Sequence, residues 1–515
     1  MTSVNRRSVF QILATGIACT TLPEIFATAR AQAPSSLRVR EDVVSFSKDE
    51  KKVASLRAGV AAMKRRSEAS QHDKLGWSYW AAVHGTDQTP PRSLQSIYNQ
   101  CRHSSARPAA HFLSWHRAYL YFFEKVLVQT AQDAGGVAFS LPYWDWYTQP
   151  TLPSIFTEGS AKINSLWHQR ESTKIDSGSL LKAAFEQRML LSQNKTRGFS
   201  LEVELNPHNR VHGLVGGDMG DPSLAARDPI FLLHHANADR LWSIWINERG
   251  VQGLPAAGGP WDKESFSFDV EKTWSILASG VRDAQSQLGY RYEDETWVLP
   301  PPISIADKGR DRNADDVVVP EEDNLDLRED PALSHIGNEL DDEKEPQKLS
   351  AESNRDESVP SASNPALVSS VRVASAPVRV DLAWPQDTAA RIADDKTSLP
   401  KVELVISGID VDSLTGRSFT VAALIPDSNG ALRRVFITEL NTFTLKLAQE
   451  HAHHDDPHLD RTKSHAAILR IPIDHVIADT PRATLSRGMS FVLDPGSEDI
   501  TTPVSIEAVR LMTVE

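Results

Sequence analysis

A mainly helical domain followed by an all-β domain, the two joined by an acidic linker, is the fold class that the 515-residue sequence predicts. Three observations carry it. Eleven of the twelve tryptophans lie between Trp77 and Trp297, together with most of the apolar patterns of helical period. Between residues 305 and 360 stand 18 acidic and 7 basic residues and no aromatic residue. From about Val371 onward the apolar residues fall into short alternating runs separated by turn residues.

Composition bounds the function before any motif is read. With 40% hydrophobic and 24% charged residues the chain has an ordinary globular make-up. Two or three domains are expected at roughly 100–200 residues each. A formal net charge of −13 argues against nucleic acid as the partner. No long apolar run occurs beyond the N-terminus, which argues against membrane insertion of the mature chain.

Residues 1–33 read as an export signal. Arg6-Arg7 precede an apolar stretch at 9–18, and Ala31-Gln32-Ala33 offers a small-x-small cleavage site, with Ala27-Thr28-Ala29 as a second. The paired arginines resemble those of the twin-arginine route, so the mature protein is expected to be periplasmic or extracellular. Cys19 lies in the segment removed, which leaves Cys101 alone and excludes an internal disulfide.

The helical domain is expected over 34–304. Its clearest segment, 116–127, is too long and unbroken for a typical strand. The acidic stretch, a linker over 305–370, carries too little apolar area to offset its ordering entropy and is expected to be flexible. In the last domain, 371–515, the runs 402–406, 419–424 and 467–471 read as strands, separated by turns such as Pro426-Asp427-Ser428-Asn429-Gly430. A β-sandwich or barrel follows.

The chemistry-bearing residues are histidines. His208-Asn209-Arg210-Val211-His212 sets two imidazoles four residues apart, on one helix face, where both can meet a single ion. Asn209 stands where the H-E-x-x-H of zinc proteases carries glutamate, so a zinc hydrolase lacks its general base. Downstream, 228–242 reads D-P-I-F-L-L-H-H-A-N-A-D-R-L-W. The adjacent His234 and His235 diverge by about 100° on a helix, so one is expected to ligate and the other to pack behind it. Asp239, four residues after His235, is placed to brace the site or to bind Arg240. Upstream lie His84, His103 and His116. Two sets of three imidazoles suggest two metal ions. Nitrogen-only sites suit copper, zinc, iron or nickel, and not magnesium or calcium.

Together these segments resemble the tyrosinase, catechol oxidase and haemocyanin family of binuclear copper proteins. The matching stretches are the His84 segment, F-L-S-W-H-R-A-Y-L at 112–120, L-P-Y-W-D-W at 141–146, P-H-N-R-V-H at 207–212 and the 228–242 segment. The resemblance implies a bundle of four helices holding two copper ions. The first copper would take His84, His103 and His116, the second His208, His212 and His235, with His234 in support. It also implies oxidation of phenols and catechols by dioxygen to ortho-quinones. His103 lies 13 residues before His116, a wider gap than the family's, as though residues were inserted at 106–109, and His111 is the rival ligand. Cys101-x-His103 favours His103, because fungal relatives join a cysteine at that spacing to the imidazole ring by a thioether.

The same resemblance carries further roles. Glu204 and Asn209 match positions that hold a water for deprotonating an incoming phenol, whose pKa of about 10 calls for a base. The presence of Asn209 favours monophenol hydroxylation. Plant catechol oxidases place a gating phenylalanine ahead of A-A-R-D-P. Here Asp221-Pro222-Ser223-Leu224 has no aromatic residue, so Pro222 or Leu224 is expected to line a wider entrance. The C-terminal domain resembles, more distantly, the shielding domains of plant and fungal enzymes, and the acidic linker is then the target of an activating protease. The histidine-rich run 450–458 reads as a solvated loop. Two competing readings are an oxygen carrier of the haemocyanin kind and an o-aminophenol oxidase.

Overall fold

The computed structural model describes residues 37–103, 111–175, 198–249, 254–296 and, with short interruptions, 367–514. The expected export signal at 1–33 and the linker at 305–366 lie outside the described residues. The first domain is built around helices α1 (Glu50–Ala69), α2 (Trp77–His84), α3 (Phe112–Asp133), α4 (Asn209–Val215) and α5 (Ile230–Arg249).

Helix α1 starts at Asp49, whose carboxylate accepts from the backbone N–H groups of Lys51 and Lys52 and so satisfies donors that a helix start leaves open. Val53, Leu56, Val60 and Met63 recur at spacings of three and four and form its buried stripe. That stripe packs on α3. At Gly59 the approach is so close that a Cβ would stand 3.0 Å from both Ala131 Cβ and Leu127, so a larger residue would press the two helices apart. Helix α3 extends the predicted 116–127 segment at both ends. It is buried nearly all round because α1 and α5 both pack against it. Helix α5 is prepared by Asp228, whose carboxylate accepts from the Ile230 N–H and from Arg170 at 2.7 Å through two nitrogens.

The two ends of this domain meet. Arg38–Arg40 pairs in parallel with Tyr290–Tyr292. The fully buried Arg40 reaches Glu124 on α3 at 2.7 Å and Asp239 on α5 at 3.3 Å. Asp239 also accepts from Arg117 at 2.5 Å and from the Tyr290 and Tyr292 hydroxyls at 2.6 Å each. Of the two roles expected of Asp239, bracing the site or binding Arg240, the second is not taken up. Neighbours on a helix point about 100° apart, and Arg240 turns instead to Asn237 and Asp294. Burial disfavours the Glu124 charge, but Arg40 and Arg38 outweigh it and hold its pKa below the usual carboxylate range.

The second domain is a sandwich of two four-stranded antiparallel sheets. Its strands are β1 (Leu367–Val373), β2 (Val378–Leu382), β3 (Lys401–Ile409), β4 (Ser418–Pro426), β5 (Leu432–Asn441), β6 (Ala467–Pro472), β7 (Met489–Asp494) and β8 (Val504–Val514). The orders are β6-β3-β8-β1 and β2-β7-β4-β5. On the edge strand β6, Ala467, Leu469 and Ile471 face the core while Ile468 and Arg470 face out, the period of two that a half-buried strand requires. The first strand starts at Leu367, ahead of the expected boundary at 371, because the apolar Leu367 and Val368 pair with Arg510 and Val509.

Helix α6 (Thr442–Asp455) follows β5 directly and lies against α4. Phe443 and Leu447 on it belong to the core of the first domain, whereas Leu445 belongs to the core of the second. Buried polar contacts reinforce this joint. Arg210 pairs with Glu439 at 2.5 Å and donates to the Ser418 hydroxyl, and the Asn206 amide donates to Glu439 at 3.0 Å. Lys446 pairs with Asp221 at 2.7 Å. Among the described residues no helix is long and apolar enough to cross a membrane.

Candidate metal centre

Four helices aim imidazoles into one interior space. His84 ends α2, where Gly85 stops the helix. A Cβ on Gly85 would stand 2.6 Å from the Pro222 carbonyl oxygen, so the loop carrying Pro222 presses on the end of α2. His116, early in α3, donates its Nδ1–H to the Phe112 carbonyl at 2.7 Å. The chain makes a wide π-turn over Glu204–His208 before α4 begins. His208 then donates Nδ1–H to Asn209 Oδ1, and His212 to the Met219 carbonyl, both at 2.8 Å. Each acceptor is an oxygen without a proton, so in these three rings the proton sits on Nδ1 and the lone pair on Nε2.

The Nε2 atoms of His208, His212 and His235 form a triangle with edges of 3.2, 3.2 and 3.3 Å. Bare Nε2 atoms on His208 and His212 cannot hydrogen-bond to each other. They can share a cation. The triangle's centre lies about 1.9 Å from each nitrogen, beside a usual imidazole–zinc length of about 2.0–2.1 Å, so an ion of that size fits just off the plane. Ligand nitrogens of His84, His116 and His235 also lie within 4.8 Å of one another. The His116 and His235 rings stack at 4.3 Å. Two nitrogen clusters therefore adjoin at His235.

Electrostatics favours the same occupant. Burial, with the neighbouring imidazoles adding to it, pushes the pKa of His84 down to about 3. Burial likewise pushes His208 down to about 4, and His116, His212, His234 and His235 well below the usual histidine value. At neutral pH these rings are uncharged, the state a metal requires of its ligands.

His103 is buried, and its Nδ1 meets Glu204 Oε1 at 2.7 Å. Burial works against a charge there, yet Cys101 and Glu204 together hold its pKa well above the ordinary histidine value. The Cys101 thiol is within hydrogen-bond reach of His103 and 3.5 Å from His116 Nε2. Neither close cluster includes His103. The rival, His111, sits apart. Its Nδ1 meets the Ser114 hydroxyl at 3.0 Å, and its ring stacks on Trp261 at 5.2 Å.

His234, expected to pack behind the ligands in support, stands close to them. Ring nitrogens of His208, His212, His234 and His235 all lie within 4.8 Å of one another, and the His234 ring stacks on His208 at 4.9 Å. Glu204 and Asn209, expected to share a water, each hold a histidine here: Glu204 holds His103, and Asn209 holds His208. Pro222 is buried beside α2, Leu224 is half-buried in the same loop, and Asp221 in that loop carries the Lys446 pair.

One site residue had no sequence signal. Phe443, from the second domain, stacks on His212 at 4.1 Å with the planes 13° apart, and stands edge-on to His208 at 6.0 Å.

A family model described as the common central domain of tyrosinase matches residues 74–186 and 159–248, the stretch from which all of these histidines are drawn. The helical half thus carries a tyrosinase-type central domain. The chain is 28% identical over 273 residues to a tyrosinase of Hahella sp. (strain CCB-MM4), covering 43% of this chain and 57% of that protein. It is 29% identical over 249 residues to the latent chloroplastic polyphenol oxidase of Prunus armeniaca, covering 39% of this chain and 40% of that one. The chain thus spans less than two thirds of either relative. A hemocyanin of Megathura crenulata is 26% identical over 298 residues, 50% of this chain and 8% of that protein. Among solved structures, latent apple tyrosinase aligns over 94% of this chain and 98% of its own, at 18% identity and a TM-score of 0.48.

Proposed function

We propose that the protein is a copper-dependent phenol oxidase, converting catechols, and monophenols after hydroxylation, to ortho-quinones with dioxygen. The observation that carries this reading is the triangle of Nε2 atoms beside a second imidazole cluster. His208, His212 and His235 would hold one copper, and His84, His116 and His103 the other. All-imidazole ligation suits copper in both oxidation states, and a bound copper pair supplies the electrons that reduce dioxygen. In balance, two catechols each lose two hydrogens, and one dioxygen takes them up as two waters.

The chain's own residues orient the ligands and handle the proton. The Phe112 and Met219 carbonyls and Asn209 fix three imidazoles by their Nδ1–H groups. Glu204 is the carboxylate available to take the phenol proton, directly or through a water shared with Asn209. The closeness of Cys101 to His103 supports a thioether between them: the thiol and a ring carbon would each lose one hydrogen, and dioxygen would take up both, so that the intact mass falls by two hydrogens. The twin-arginine-type signal supports export of the folded, metal-loaded protein.

The intact chain is, in this reading, latent. Phe443 covers the His208–His212 side, and α6 pins the entrance loop through Lys446–Asp221. Cleavage within 297–366 would free the cover. The test is copper reconstitution followed by oxygen uptake with catechol, before and after limited proteolysis. Two coppers per chain, with quinone formation that rises on cleavage, is the expected result. Reversible oxygen binding without quinone, in cleaved protein, would assign the haemocyanin-like role instead.

A further inference from the structure

Four histidines stand within reach of one ion at the second site, and one of them is disarmed by its neighbour. His234 is fully buried, and its Nδ1 lies 2.8 Å from the indole Nε1 of the equally buried Trp146. An indole N–H can only donate. The His234 Nδ1 must therefore supply a lone pair, and in a neutral imidazole the single proton then sits on Nε2. Among the described residues that Nε2 has no hydrogen-bond partner. His208 and His212 have the opposite arrangement, with Nδ1–H donated to oxygen and Nε2 bare.

We infer that Trp146 is a tautomer lock: by donating to His234 Nδ1 it leaves that ring without a free lone pair, and so keeps the second ion at three protein nitrogens. An open position on that ion is what an external ligand needs in order to bind. The same buried indole also accounts for an otherwise idle histidine: His234 packs flat on His208 and holds its ring in place without competing for the metal. Trp146 and His234 are thus positioning residues. The inference rests on the metal reading of the site and not on phenol oxidation.

The first measurement needs no variant and no metal. Nitrogen-15 NMR of histidine-labelled, metal-free protein distinguishes a protonated from a bare ring nitrogen, and His234→Phe identifies the signals by their loss. A protonated Nε2 and bare Nδ1 on His234 are expected, and the reverse tautomer overturns the lock. The second uses cobalt(II), whose visible bands lose intensity as it gains a ligand. In Trp146→Phe the freed ring can move its proton to Nδ1 and offer Nε2, so the bands should weaken, and Trp146→Phe/His234→Phe should restore them. Unchanged bands in folded, cobalt-loaded Trp146→Phe overturn the proposal. Failure of the native chain to bind cobalt at all would instead overturn the metal reading.

Discussion

The Phe443 ring lies face to face with the His212 ring, 4.1 Å away and 13° from parallel. The two residues come from different domains, and His212 is a proposed ligand of the second copper. Phe443→Ala should therefore open the site without cutting the chain. Loss of about 1.4 kcal/mol of cover corresponds to roughly tenfold more open enzyme. Catechol turnover of the uncut variant should rise by that order, and an unchanged rate would assign the cover to other residues.

The joint itself depends on Arg210 and Glu439, both buried. Arg210→Ala leaves the Glu439 carboxylate without its cation, at a cost of about 3–5 kcal/mol for a buried pair broken on one side. The second domain should detach more readily, read as faster limited proteolysis and higher activity of the uncut chain. Replacing both residues by apolar ones should cost less than replacing either alone.

The metal count gives a direct check. His212→Ala removes one corner of the Nε2 triangle, and elemental analysis should fall from two coppers per chain to one. Glu204→Gln probes a different function. If Glu204 handles the phenol proton, monophenol turnover should drop far more than catechol turnover. Equal losses would mean that its bond to His103 is its whole contribution.

Acid should unfold the first domain through Glu124. Its folded pKa lies below the unfolded value of about 4.3. The stabilisation is complete above that value and is lost as pH falls through the depressed folded pKa. Thermal melts of metal-free protein should therefore drop steeply below about pH 4. Glu124→Gln should melt lower at neutral pH and lose less of its stability on acidification.

Much of the site was legible because its ligands lie within short, regular segments. The i, i+4 spacing of His208 and His212 sets both on one face of a helix turn, and the runs around His116 and His235 are long enough to specify helices. What depends on distant chain was not legible. Nothing near Phe443 marks it, because its role comes from how β5 and α6 dock on α4. Asp239 gave no sign of its partners, which arrive from residues 40, 117, 290 and 292. The bond that holds His234 was not legible either, because its partner Trp146 lies 88 residues away.

The parallel pairing of Arg38–Arg40 with Tyr290–Tyr292 has a consequence for maturation. Start and finish of the histidine-bearing half are stitched into one seam, knotted at Asp239, upstream of every position where a protease is expected to act. If trimming removes the second domain the seam stays whole, but the core loses Phe443 and Leu447 and Arg210 loses its anion, so the shortened chain should stay folded and yet melt earlier than the helical half does within its precursor.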